Sequence, residues 1–571
     1  MIYGGISKTI IVSDMSTAIP SSALSSQSKV GQWRLIDYTT KDGLCGRLLH
    51  VGPETNAPEV AVPLNVSGWH AISIGFWPGH LWVDVCDQYK TKLKLTSDAN
   101  FVYGSPGPED STRNAILQEC FWKYACIPSG DMLHIAQQVN GYARSASIAF
   151  IRLTPLLEAE IESIKADRAT KANRRLIATN DGHGLFFLDC PQTAADIESA
   201  IEPLRNSDVG KLFWCLGTGG DAVNYPSRIG EISEPDLSDY LRRGDRYLAE
   251  SMQELGKQGI DPLKVACDYA HSIGLEFHIS MRMGAFAIFP PYDELFTSQT
   301  YLQHPEWRCV DKDGTPVVRL SYAFEGVRQR LLELFREAAN YGIDGINLIY
   351  TRGAPFMLYE QPLLDGFAAE YGKDPRQLDD HDQSWLHYRA DVMTDFIVSL
   401  RRELDRSGVS QSGKRREISA HVLNNRENNL FHCLDLNKWV REELVDNLIA
   451  SSWWVEKDWK KGLLDPIDMD YFSGLCRNSG TNWYYNQSNH DCNPEKAMEY
   501  TRKAYAAGAA GLALWDHNFR DPLWKWWSVT SRLGHREELA GMDPADNGAR
   551  HHELESVGGY RMDRYSAYWC Y

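Results

Sequence analysis

The sequence lacks several features that would assign it to a broad class of protein. Its 12 cysteines form no CxxC pair, and no cysteine–histidine cluster has the spacing of a structural zinc site. No run of roughly 18 uncharged apolar residues occurs, so no membrane-spanning helix is expected. A basic excess is missing too, since 76 acidic residues outnumber 59 basic ones and leave a net charge of −17. Nucleic acid is therefore not expected as a partner, because phosphate binding needs a basic face.

The start of the sequence, MIYGGISKTIIVSDMS, contains no basic segment followed by a long apolar run, so no secretory signal is predicted. Cys86 and Cys215 lie in apolar runs, as buried free thiols usually do. These observations predict a cytoplasmic protein. No cofactor is predicted. A metal site stays open only through convergence of Asp181, His183 and Asp516, because no sequential metal motif is present.

A chain of 571 residues is too long for one hydrophobic core, so two or three domains are expected. Residues 1–155 alternate short β-branched and aromatic runs with Gly/Pro turns, which predicts an antiparallel, jelly-roll-like β-sandwich that either binds sugar or serves as a scaffold. Residues 156–174 are charged and Ala-rich, as in a helical linker. A barrel is expected over residues 175–530. The tail, 531–571, is polar and leaves docking or homo-oligomer assembly open.

The barrel prediction rests on eight short apolar runs that alternate with helical segments. The runs are residues 175–180, 211–216, 275–280, 345–350, 417–423, 446–451, 481–485 and 511–515. Strand–helix alternation of this kind predicts an α/β fold, a parallel (β/α)8 TIM barrel. The clearest unit is GIDGINLIYTRGAPFMLYE, residues 342–360, where a buried strand ends in a polar cluster.

Polar and aromatic side chains collect just after these runs. Active sites of the barrel fold lie at the C-terminal ends of the strands, so we expect the side chains to face one pocket. Carboxylates, Arg and Asn that hydrogen-bond hydroxyls, and Trp that stacks on rings together predict a carbohydrate substrate. The predicted substrate-binding residues are Asp181, Arg282, Tyr350, Arg352, His421, Asn424, Glu427, Trp453 and Tyr484.

Glycoside cleavage needs a carboxylic acid to protonate the leaving oxygen and a carboxylate as nucleophile or base, about 5 Å or about 6.5–9.5 Å apart. Glu360 is the first candidate, because it follows the fourth strand end and precedes a helix. The alternative is that Glu360 only favours the positive end of that helix. Asp516, after the last strand, is the second candidate, with pairing to Arg520 as its alternative. Asp181 is the third, although its Asn-Asp-Gly context also suits a turn.

Several segments resemble the glycosyl-hydrolase-like family-10 group of barrel proteins and its bacterial relatives. They are RLIATNDGHG, FWCLGTGG…YPSRIGE, ISMRMG, DGINLIYTRG…YEQP, YGKDPRQL…W and GLALWD, within residues 174–520. The resemblance implies a TIM barrel, a carbohydrate-active role and an attached β-sandwich. Many of the better-known members carry an Asp on the fourth strand in a DGIxxDxxR pattern, where this chain has Ile349 and keeps Arg352. The acid's role would then move to Glu360 or another strand-end acid, or hydrolysis would be absent.

Three functions stay open at this point. The first is a glycoside hydrolase that uses Glu360 and Asp516. The second is a lyase or isomerase with His421 or Tyr350 as base, and the third is a non-catalytic sugar-binding barrel.

Overall fold

The structure is a computed structural model. It describes residues 8–53, 55–77, 90–104, 115–141, 144–180, 182–217, 219–232, 240, 242–284, 286–293, 297–454, 464–488, 494–515, 527–543 and 550–562. Of Trp453, Trp454, Leu464 and Ser488 it describes only the backbone. Within these ranges no helix is both long and apolar enough to cross a membrane.

The strands fall into an N-terminal group, a central group and a C-terminal pair. The N-terminal strands are β1 (Ile10–Val12), β2 (Leu24–Ser25), β3 (Trp33–Thr40), β4 (Cys45–Val51), β5 (Val60–Pro63), β6 (Gly68–Phe76), β7 (Thr91–Leu95), β8 (Val102–Gly104), β9 (Ile116–Ile127), β10 (Met132–Gln137), β11 (Ala146–Ile148) and β12 (Phe150–Pro155). The central strands are β13 (Leu176–Asn180), β14 (Val209–Cys215), β15 (Ala222–Val223), β16 (Glu231–Ile232), β17 (Glu276–Arg282), β18 (Arg308–Val310), β19 (Pro316–Leu320), β20 (Gly345–Ile349), β21 (Glu417–Val422), β22 (Asn447–Ala450), β23 (Trp453–Trp454), β24 (Leu464–Asp465), β25 (Asn482–Ser488) and β26 (Gly511–Trp515). The C-terminal strands are β27 (Arg550–Val557) and β28 (Tyr560–Arg561).

The α-helices connect the central strands and lead into them. They are α1 (Glu158–Ala169), α2 (Ala194–Ile201), α3 (Arg243–Lys257), α4 (Pro262–Ser272), α5 (Gln299–Gln303), α6 (Glu325–Ala338), α7 (Gln361–Tyr371), α8 (Gln383–Arg406), α9 (Arg426–Phe431), α10 (Leu436–Arg441), α11 (Met469–Cys476), α12 (Pro494–Ala506) and α13 (Trp527–Thr530). The first of them, α1, lies within the predicted linker.

The central strands form a closed parallel barrel in the order β13-β14-β17-β20-β21-β22-β25-β26. This confirms the predicted barrel, and each strand begins and ends within three residues of its predicted bounds. All five residues of β13 and all five of β20 are buried. Fully buried parallel strands read as continuous apolar runs, which is why these segments were recognisable in the sequence.

The N-terminal strands form two further, largely antiparallel sheets. One has the order β1-β12-β6-β9-β27-β3-β4-β11, and the other the order β5-β10-β7-β8. Apolar residues of both sheets, such as Ile72, Leu93 and Leu133, belong to one buried core. The jelly-roll connection stays a prediction. The sequence analysis left the C-terminal tail unassigned, whereas β27 lies between β3 and β9 in the larger sheet.

The two-sheet region packs against the first β/α unit of the barrel. Lys90 Nζ lies 3.0 Å from both carboxylate oxygens of Asp189, and both side chains are largely buried. Asn100 Nδ2 donates a hydrogen bond of 2.8 Å to Glu198 Oε2 on α2. These contacts hold the smaller sheet beside the loop that follows β13.

Candidate active site at the barrel mouth

The C-terminal end of the barrel interior is polar. Arg282, Ile349 and His421 are successive register partners across β17, β20 and β21. Alternate residues of a strand point to opposite faces, and His278 on β17 packs against Phe213 inside the barrel. Arg282 lies four residues after His278 on β17 and therefore points to the same, inner face. Its register partners Ile349 and His421 point inward with it. TIM barrels usually fill this interior with Val, Ile and Leu, so a histidine and an arginine here make this layer the candidate site.

His421 is oriented by a short chain of hydrogen bonds across three strands. Its Nδ1 lies 3.0 Å from Asn347 Oδ1, and Asn347 Nδ2 donates to Ser280 Oγ at 2.7 Å. Because the Asn347 amide already donates to Ser280, its oxygen accepts, and His421 Nδ1 carries the proton. His421 Nε2 is then an acceptor, and it has no hydrogen-bond partner among the described residues.

Burial decides what His421 can do chemically. The side chain has no exposed surface, and the loss of hydration lowers its pKa to about 3. An efficient general base has a pKa near the working pH, so a neutral imidazole this weakly basic suits hydrogen-bond acceptance instead. A ligand hydroxyl is the kind of donor that Nε2 would accept from.

Trp515 joins His421 to the rim of the mouth. Its ring lies edge-on to the His421 ring, with 5.5 Å between centroids, and the Arg352 guanidinium lies 5.6 Å from the Trp515 centroid. Arg352 is exposed and Trp515 is half-buried, so both present surface at the mouth. The sequence analysis predicted Arg352 and His421 but missed Trp515. The sequence held a signal for Trp515 in the two-residue alternation along GLALW. Because Ala513 lies inside the barrel, Trp515, two residues later, points inward as well.

Three predicted residues lie outside the described part of the structure. Asp181 and Asp516 fall beyond the described residues, as does the side chain of Trp453. The strands before the two acids are nevertheless neighbours, because β13 pairs with β26 and Thr179 is the register partner of Trp515.

Glu360 has a geometry that neither sequence interpretation anticipated. Its side chain is completely buried, and it makes no capping hydrogen bond to α7. Instead Oε1 accepts the Val310 backbone N–H at 3.0 Å, and Oε1 and Oε2 accept the Leu358 N–H at 3.1 and 3.0 Å. Burial raises the pKa of Glu360 against the opposing effect of these donors. The carboxylate therefore ties the β18–β19 hairpin to the loop after β20.

The other four predicted residues differ in their surroundings. Tyr350 is buried among barrel and helix side chains, with its hydroxyl 3.6 Å from Met393 Sδ, so it faces the helices. Asn424 is buried between Pro466 O and the Asn428 amide. Glu427 is exposed in the first turn of α9. Tyr484 lies inside the barrel among apolar residues such as Ile177 and Phe213.

At the opposite end of the barrel, Glu276, His278 and Glu417 offer ligand atoms close enough to hold a metal ion. Lys211 Nζ occupies that position, at 2.9 Å from Glu276 Oε2 and in contact with Glu417. The two carboxylates raise the pKa of Lys211, while burial beside Lys211 lowers the pKa of His278 to about 4. The ammonium group of Lys211 thus supplies the positive charge that a metal ion would bring.

No family model matches the sequence, and no curated protein sequence matches it. The likeness to the family-10 group therefore stays a prediction. Solved structures with similar coordinates include the catalytic domain of a beta-amylase from Paenibacillus polymyxa, at 12% identity and a TM-score of 0.42, covering 65% of this chain and 98% of that one. An alpha-L-fucosidase from Paenibacillus thiaminolyticus has 14% identity and a TM-score of 0.38, with 64% and 49% covered. An alpha-galactosidase from Thermus thermophilus has 13% identity and a TM-score of 0.33, with 94% and 100% covered. Such low identities and TM-scores assign no activity, and the barrel assignment rests on the strand pairing itself.

Proposed function

We propose that this protein is a glycoside hydrolase that acts on an oligosaccharide or glycoside at the C-terminal mouth of the barrel. The observation that carries the proposal is the contact of Trp515 with both His421 and Arg352, at the end of a strand that pairs with β13. An aromatic face, a guanidinium and a neutral acceptor are the groups that bind a hydroxylated ring. Arg282, on the same interior layer, extends this set.

For the catalytic acids we propose Asp516 with Asp181, and we place Glu360 third. The two aspartates follow β26 and β13, and paired strands lie about 4.8 Å apart. We propose that acids following two neighbouring strands supply the two carboxylates that glycoside cleavage needs. Glu360 is disfavoured because its oxygens are already engaged by the backbone N–H groups of Val310 and Leu358.

A lyase or isomerase is less well supported. Its proposed bases were His421, which is too weakly basic, and Tyr350, whose hydroxyl is buried against the helices and whose pKa is raised by that burial. A non-catalytic sugar-binding barrel keeps one specific observation in its favour. Ile349, on the interior layer between Arg282 and His421, places an apolar side chain where relatives of the resembled group carry an acid.

The test is a screen of aryl glycosides and natural oligosaccharides with product analysis. We expect hydrolysis, and we expect Asp516→Asn and Asp181→Asn each to lower kcat by at least ~100-fold with folding intact. Wild-type turnover in both variants would show that the acids are assigned incorrectly. Saturable binding of an oligosaccharide without turnover would favour the sugar-binding barrel. The cytoplasmic location and the lack of a cofactor stay predictions from the sequence.

A further inference from the structure

A cleft lies between the larger sheet and the N-terminal side of the barrel, and its lining contains none of the residues described at the mouth. It has a volume of about 780 Å³, within the range of small-molecule sites. One wall is the outer face of the larger sheet, where Phe121, Lys123 and Arg152 alternate with core residues. The other wall contains α1, the loop after α2, and the segment that begins at α13. Clefts at domain boundaries are preferred ligand sites.

The charges that line this cleft do not cancel. The six cationic side chains are Lys123, Arg152, Arg168, Arg205, Arg532 and Arg550, and the five acidic ones are Asp98, Glu119, Asp167, Glu202 and Glu538. Ion pairs occupy all five acids: Lys123–Asp98, Arg152–Glu119, Arg205–Glu202, and Arg532 with both Asp167 and Glu538. A surplus of positive charge therefore remains in a chain whose net charge is −17.

Arg550 carries part of this surplus. It is exposed on β27, directly opposite Glu119 on β9. Glu119 is already bound by Arg152 at 2.7 and 3.0 Å and by His552 Nε2 at 2.9 Å. Arg550 consequently has no carboxylate partner among the described residues, and its guanidinium is available to an anion.

Arg168 is the second cationic side chain that contributes to the surplus positive charge of the cleft. Its Nη2 donates to the Tyr124 carbonyl at 2.7 Å, and it has no carboxylate partner in the described part of the chain. Burial lowers the pKa of its guanidinium but leaves it charged, because arginine ionises far above neutral pH. Arg168 and Arg550 thus offer two cationic groups on opposite walls.

The remaining lining suits a sugar ring. Tyr124 is 37% exposed and contacts Phe121, with ring centroids 4.8 Å apart. The hydroxyl and amide side chains of Ser73, Thr154, Ser163, Asn206 and Ser207 line the same cleft. Aromatic surface beside many hydrogen-bonding groups is the combination that binds hydroxylated rings.

We propose that this cleft binds a sugar that carries one anionic group, either a carboxylate or a phosphate. Arg550 would bind the anion, since guanidinium forms paired hydrogen bonds with both groups. Arg168, held at Tyr124 further along β9, would hydrogen-bond the sugar hydroxyls and add to the positive charge of the cleft. The site is separate from the barrel mouth, so the proposal does not depend on hydrolysis there.

The experiment is saturation-transfer NMR on the full-length protein with D-glucuronate, D-glucose 6-phosphate and D-glucose as separate probes. We expect transfer to at least one anionic probe, weakened by added salt, and little transfer to glucose. Arg550→Gln should weaken binding about tenfold, as expected for loss of a charge-assisted hydrogen bond. Comparison of the two anionic probes distinguishes the carboxylate from the phosphate.

Arg561→Gln, an exposed arginine on β28 outside the cleft lining, is the matched control and should bind like the wild type. Arg168→Gln is the second test of the same site. Trp515→Ala, at the mouth, should leave this binding unchanged. The proposal is overturned if neither anionic probe binds, if glucose binds equally well, or if Arg550→Gln and Arg168→Gln both bind normally. Loss of binding in Trp515→Ala alone would also overturn it, because it would place the ligand at the mouth.

Discussion

Replacing Glu360 separates a structural carboxylate from a catalytic one. Its oxygens accept the buried N–H groups of Val310 and Leu358, and the residue has no exposed surface. Glu360→Ala leaves both donors without an acceptor, at about 1–3 kcal/mol each, so we expect a loss of about 2–6 kcal/mol of stability. Glu360→Gln keeps one oxygen but sets an amide NH₂ against a donor, so we expect a loss of about 1–3 kcal/mol. Domains are stable by only about 5–15 kcal/mol, so both effects are measurable.

The assay combines denaturant unfolding with turnover on whichever glycoside the substrate screen identifies. We expect Glu360→Gln to lower the unfolding midpoint while kcat of the folded fraction stays close to the wild-type value. Glu370→Gln, an exposed acid on α7, is the matched control and should change neither quantity. A fall in kcat of ~100-fold or more with an unchanged midpoint would refute this reasoning and restore Glu360 as a catalytic acid.

Three further predictions follow from buried polar groups. His535 lies between Asp208, at 2.7 Å, and Asp167, at 2.6 Å, and these carboxylates raise its pKa. The stabilising contribution of charged His535 is therefore complete below about pH 6.5 and is lost as the pH rises through the raised pKa. The thermal unfolding midpoint of the wild type should fall as the pH rises through this range, and the midpoint of His535→Gln should fall less steeply. His421→Phe should raise KM for the sugar, and the wild-type pH–rate profile should show no ionisation of His421 above pH 5, since its pKa is about 3. Lys211→Met leaves two glutamates facing each other and should cost about 3–5 kcal/mol in denaturant unfolding.

The sequence by itself determined the architecture of the barrel. Buried parallel strands require continuous apolar runs, and runs such as GLALW end where polar residues begin, so the eight strands and the C-terminal end of each were readable. Arg352 and His421 were predicted as site residues in the same way, because each lies at or just beyond a strand end, and that assignment stays a prediction. Local pattern was sufficient for these features, since strand period and burial are properties of a few consecutive residues.

Only the tertiary structure decided which strand-end residues reach the mouth. Tyr350 and Glu360 follow the same strand, yet one packs against the helices and the other binds a hairpin from about fifty residues earlier in the chain. The pairing of Trp515 with Thr179, and the place of β27 in the larger sheet, join segments that are distant in sequence. Such contacts depend on barrel closure and on packing between sheets. For that reason Glu360, the first catalytic candidate from the sequence, lies in the structure as a buried residue whose carboxylate anchors a loop.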